Sequence, residues 1–149
     1  MWQKHCNIGR ANSLDRATYK EILIMYKKEN YNKGKNGEEK ALEFLMKKGF
    51  GLIEMNYENK IGEIDLIMID NDWLVFVEVK LKVGDKFGTP EEMINKKKLS
   101  QIKRVAESYL VLEKKKIKRF EKFRIDAVCM VTDEGKEILR INHYENVYV

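Results

Sequence analysis

GEIDLIMIDNDWLVFVEVK, residues 62–80, is the stretch that decides the fold. Its two halves, GEIDLIMI and LVFVEVK, are rich in Ile, Val, Leu and Phe, and the polar break Asp70-Asn71-Asp72 between them is a hairpin signal. A two-residue turn at Asn71-Asp72 sets Asp65 opposite Glu78 and Glu63 opposite Lys80. Side chains alternate faces along a strand, so all four project from one side of the hairpin. So apolar a strand pair belongs in the middle of a sheet, where an ionised group costs several kcal/mol unless it is paired or holds a metal.

Two close carboxylates raise each other's pKa unless a cation lies between them. Their oxygens suit Mg²⁺ or Mn²⁺ better than Zn²⁺, which prefers His and Cys. Lys80, two residues beyond Glu78, extends on the same face toward a water or phosphate oxygen. A hard metal, a lysine and no evident side-chain nucleophile describe metal-assisted hydrolysis of a phosphodiester by water. The plainer reading makes these groups cross-strand neighbours near a sheet end. A Glu63–Lys80 pair fits that reading, but Asp65 opposite Glu78 would repel.

An acidic residue on one strand and Glu78-Val79-Lys80 on the next resembles the PD-(D/E)XK nuclease superfamily. More closely, the chain resembles the YraN-like family of predicted bacterial endonuclease-like proteins. The resemblance is carried by Gly34-x-x-Gly37-Glu38-x-x-Ala41, Asn56-Tyr57, GEIDLI at 62–67, FVEVK at 76–80 and Phe87-Gly88. It continues through Lys98, Ala106-x-x-Tyr109-Leu110 and Arg124-Ile125-Asp126, covering residue 31 to the C-terminus. Ile64 stands where the superfamily's name has proline.

The resemblance implies Asp65 and Glu78 as metal ligands, Lys80 as the residue that positions water or stabilises charge, and Glu38 as a further catalytic carboxylate and ligand. It implies Mg²⁺ or Mn²⁺ as cofactor and nucleic acid, DNA first, as partner; a homodimer is an allowed assembly. Glu38 also shares the helical spacing i, i+3, i+4, i+7 with Ala41, Leu42 and Leu45, so it can point at the sheet. Its alternative role is interaction with the helix N-terminus. Glu63 is open between partner of Lys80 and second carboxylate of the site. Lys98, beside the stripe Leu99, Ile102, Ala106 and Tyr109, is expected to contact nucleic acid.

A chain of 149 residues with net charge +5 is expected to form one main domain, residues 31–149, preceded by a helical extension over 1–30. Met25 resembles a family start, which leaves the upstream part as extension or as an overcalled gene start. No apolar run has membrane-spanning length, the N-terminus lacks a secretory h-region, and Cys6 and Cys129 lack metal-ligand spacing; a cytoplasmic protein is expected. Lysines 96–98, 103 and 114–116 with Lys118 and Arg119 favour a polyanion or form a solvated face. His143 is read as structural or as a phosphate contact, and Asp126 as a structural group.

The expected architecture is α/β, a restriction-endonuclease-like core of αβββαβ order with a central mixed sheet flanked by helices. The elements are a helix over 36–48, strands over 51–57, 61–69 and 74–82, a helix over 90–112, a strand over 122–132 and a short edge strand over 136–141. The expected function is a Mg²⁺- or Mn²⁺-dependent nuclease. The alternatives are a nucleic-acid-binding protein that keeps the fold without cleavage, and a structural or partner-binding domain.

Overall fold

The computed structural model describes residues 36–84, 86–134 and 137–148, together with the helical positions Glu21 and Ile24. The rest of the expected extension, with Met25, His5 and Cys6, lies outside the described residues.

Helix α1 (Asn36–Lys47) leads into strands β1 (Gly51–Asn59), β2 (Gly62–Asp70) and β3 (Trp73–Val83). Helix α2 (Lys96–Leu112), β4 (Lys122–Thr132) and β5 (Ile138–Tyr144) follow. The sheet runs β1-β2-β3-β4-β5 in space, so the apolar hairpin occupies its centre as expected. Among the described strands only β3 and β4 pair in parallel, because the connection between them carries α2. The hairpin register, from Asp70↔Trp73 to Leu66↔Val77, is that of the two-residue turn, with Asn71 at φ 52.

The two helices cover opposite faces. Ala41, Leu42 and Leu45 of α1 pack on Leu66, Met68, Val75, Val77, Val128 and Met130. Ile102, Val105, Ala106 and Tyr109 of α2 pack on Ile67, Leu74, Phe76 and Ile125. Even and odd positions of β3 thus go to different cores, which is the period of two expected of a strand buried on both sides.

Two boundaries differ from expectation. The second helix does not start at Pro90: Pro90 opens a 3-10 turn, Glu91–Met93, and α2 begins only at Lys96. Asn95 is the reason, since its side chain accepts the Lys98 backbone N–H at 3.0 Å and so fixes the first turn there. The last strand extends to Tyr144 rather than ending at 141, which brings His143 into the sheet.

Arg124, Asp126 and His143 form a buried cluster on the α1 side. Arg124 Nε lies 2.9 Å from Asp126 Oδ1 and its Nη2 2.8 Å from Asp70 Oδ2. His143 Nε2 lies 2.9 Å from Asp126 Oδ2, and the Asn146 backbone N–H donates to Oδ1. The Lys48 ammonium donates to His143 Nδ1 at 2.7 Å, so Nε2 carries the imidazole proton and donates to Asp126. Burial opposes ionisation of Asp126, but hydrogen bonds from His143, Arg124 and Asn146 outweigh it and hold its pKa below the usual 3.8. With both ring nitrogens engaged, His143 is a structural group, and Asp126 is one too.

Candidate active site

Asp65 is placed by a parting of the two central strands. The β2–β3 ladder ends at Leu66↔Val77, and at the next step the Asp65 carboxylate itself accepts the Val79 backbone N–H at 2.7 Å. Face alternation also breaks here: Leu66 packs on the α1 side, whereas Ile64 joins the α2-side core. On the neighbouring strand, Met55↔Leu66 and Tyr57↔Ile64 flank Asn56, whose φ is 52. A left-handed residue inside a strand re-aims its neighbours. Asp65 is 8% exposed, at the seam between the two faces.

Glu78 shares the parity of Leu74 and Phe76 and so belongs to the α2 side. It is 1% exposed, and its Oε1 meets Lys80 Nζ at 2.5 Å and Lys98 Nζ at 3.3 Å. Its Oε2 is buried without a hydrogen-bond partner. Lys98 reaches it because Asn95 starts α2 three residues earlier and Gln101 Nε2 donates to the Ile61 carbonyl at 3.0 Å, seating the helix on the β1–β2 turn.

Glu38 approaches from the other face. A Cβ at its neighbour Gly37 would stand 3.2 Å from Leu81 Cβ, so α1 runs close against β3 one residue past Lys80. Glu38 Oε2 is buried. The electrostatics join the three carboxylates: burial first, then the charge of Glu78, raises the Asp65 pKa from 3.8 to about 7. Glu38 adds to the rise, while the Val79 N–H and Lys80 oppose it.

The structure thus brings Asp65, Glu78, Lys80, Lys98 and Glu38 into one neighbourhood. It does not bring in Glu63, which is exposed and stands across from Glu58 of β1, while Lys80 turns to Glu78. The expected Glu63–Lys80 pairing fails because the strands have already parted at Asp65. Cys129, a buried free thiol, stands in register with Lys80 across the parallel β3–β4 pair. The lysines at 114 and 115 lie on the exposed face beyond α2, and Lys116 pairs with Glu54 at 3.0 Å.

The donor set fits a hard divalent ion in its chemistry: carboxylate oxygens only, one of them buried and unbonded at Glu78. As placed, however, no group of three or more His, Cys, Asp or Glu among the described residues converges on a common point. Glu78 Oε1 is instead engaged by two ammonium groups, those of Lys80 and Lys98.

A five-stranded mixed sheet between two helices, with acidic groups where its central strands part, is an α/β arrangement compatible with a restriction-endonuclease-like core. The chain belongs to the uncharacterised protein family UPF0102, which it matches over residues 37–130. A UPF0102 protein of Alkaliphilus oremlandii is 40% identical over 115 residues, 77% of this chain and 96% of the relative. One from Dictyoglomus thermophilum is 36% identical over 115 residues, 77% of this chain and 95% of the relative. One from Persephonella marina is 38% identical over 116 residues, 78% and 92% of the two chains. Among the described residues no helix is long and apolar enough to cross a membrane.

Proposed function

We propose that the chain is a nuclease that hydrolyses phosphodiester bonds of nucleic acid, DNA first, with Mg²⁺ or Mn²⁺ as cofactor. The observation that carries this reading is the pair Asp65–Glu78: two buried carboxylates in a sheet centre, one with its pKa pushed up to about 7, the other with an unbonded oxygen. Such an arrangement costs the fold stability and is compensated by a cation.

Asp65, Glu78 and Glu38 are the residues that would hold the ion. The ion, when bound, supplies Lewis-acid polarisation and neutralises charge developing at the phosphodiester. The chain's own groups do the rest. The Val79 N–H fixes one oxygen of Asp65. Lys80 and Lys98, whose side chains are both part-exposed, leave Glu78 to receive a phosphate oxygen and orient the attacking water.

The second reading, a nucleic-acid-binding protein without cleavage, is favoured by the engagement of Glu78 with two lysines rather than with a convergent ligand set. A panel of labelled duplex, branched and single-stranded DNA, with RNA, incubated with Mg²⁺ and Mn²⁺ separates the two. Cleavage by the wild-type chain that Asp65→Asn abolishes supports the nuclease. Binding with no cleavage of any substrate refutes it and leaves the second reading.

A further inference from the structure

Phe87 is 90% exposed, on the loop that leaves the active-site strand. A single exposed apolar ring is ordinary; the backbone that presents this one is not loose. The Lys82 ammonium donates to the Phe87 carbonyl and, at 2.9 Å, to the Gly88 carbonyl. Gly88 takes φ +87, a left-handed backbone that favours glycine. The Thr89 N–H donates to Glu92 Oε2 at 3.2 Å, closing the turn. The main chain is pinned while the ring is left in water.

The pin also ties the turn to one face of β3. Lys82 is two residues past Lys80 on β3 and shares its face. At a strand rise of about 3.3 Å per residue the two are roughly 7 Å apart. A phosphate received at Lys80 and Lys98 therefore lies on the same face of β3 as the lysine that holds the Phe87 turn. Lys86, exposed beside the ring, adds positive charge that favours a polyanion over an apolar partner.

We propose that Phe87 is a stacking platform for an unpaired nucleobase next to the phosphate that Lys80 and Lys98 receive. The inference rests on the nucleic-acid reading of that site, and it names the substrate class: strands with unpaired nucleotides beside the cut, such as single strands, flaps or branch points. Inside an intact duplex both faces of a base are covered by its neighbours, leaving no face for the ring. Stacking on an aromatic side chain is tolerant of sequence because every base has a π-face. The pinned backbone lowers the ordering cost of binding.

The test uses the full-length chain in chelator, where no cleavage occurs, with a single-stranded oligonucleotide, a flap and an intact duplex carrying 2-aminopurine. The wild-type chain is expected to quench the fluorophore in the single strand and at the flap junction, and to bind both more tightly than the duplex. Phe87→Ala should lose the quenching and weaken single-strand binding by roughly tenfold, with duplex binding and melting temperature unchanged. Phe87→Trp should restore both signals. Unchanged quenching in Phe87→Ala overturns the proposal, as does an Ala variant whose only change is loss of a dimer in sedimentation, which would assign the ring to a second copy. Absence of any nucleic-acid binding overturns this proposal and the site reading together. Stacking without cleavage in Mg²⁺ or Mn²⁺ refutes the nuclease alone, and cleavage with a silent Phe87→Ala refutes the stacking alone.

Discussion

Asp65→Asn should make the metal-free protein more stable at neutral pH, and the size of the gain follows from the group's surroundings. Burial and the Glu78 charge raise its pKa from 3.8 to about 7 in the folded chain. Each pKa unit is about 1.4 kcal/mol between the two protonation states. The unfolded chain releases this proton near pH 4 while the folded chain holds it to about pH 7. Stability contributed by the protonated group is therefore full below pH 4, falls as pH rises between the two values and levels off above the higher one. The total loss is about 4 kcal/mol, an upper figure. Asparagine cannot ionise, yet it keeps an oxygen for the Val79 N–H. Asp65→Asn should gain about 2–4 kcal/mol over the wild type at pH 7.5, a rise of several degrees in melting temperature. At pH 4 the two should melt together. Thermal unfolding in chelator from pH 4 to pH 8 measures this, and calorimetric titration with Mn²⁺ measures the reverse effect, weaker ion binding by the variant. A variant less stable than wild type at every pH would refute the account of Asp65 as a buried, repelled carboxylate.

Lys80→Ala leaves Glu78 with Lys98 as its remaining ammonium partner; it should cost about 1–3 kcal/mol in chelator and abolish hydrolysis while sparing Mn²⁺ affinity, checked by melting, cleavage assay and titration. Arg124→Ala strips the guanidinium from the fully buried Asp126 and from Asp70, with an expected loss of about 3–5 kcal/mol by urea unfolding at pH 7. Because the Asp126 pKa is lowered below 3.8, its contribution is complete above that value and is lost as pH falls beneath it, so the deficit of Arg124→Ala should shrink in acid. Nucleic-acid affinity should fall steeply with added salt and differ little among unrelated sequences, since lysines rather than base-reading groups line the site; a flat salt response in a filter-binding titration would refute this.

The central hairpin, its two-residue turn and the alternating faces of β3 were legible in the sequence because they depend on local properties. Alternation, β-propensity and a two-residue polar break leave few ways to pair GEIDLIMI with LVFVEVK, and the resemblance then named Asp65, Glu78, Lys80, Glu38 and Lys98. The helix stripes were legible for the same reason: Ala41, Leu42 and Leu45, and Ile102, Ala106 and Tyr109, repeat at the helical period. The start of α2 was misread at Pro90 because a proline admits a 3-10 turn as readily as a helix, while Asn95, a stronger cap, stood five residues on. Only the tertiary structure decided the rest. That β2 and β3 part at Asp65, that Glu63 is turned to solvent, and that Lys98 comes within 3.3 Å of Glu78 depend on how α2 sits on the β1–β2 turn. That His143 joins Asp126 depends on the length of β5. Strand pairing is encoded residue by residue, but which charges meet at the end of a sheet is set by twist, by the docking of helices and by desolvation shared among distant groups, and none of these is a property of a segment alone.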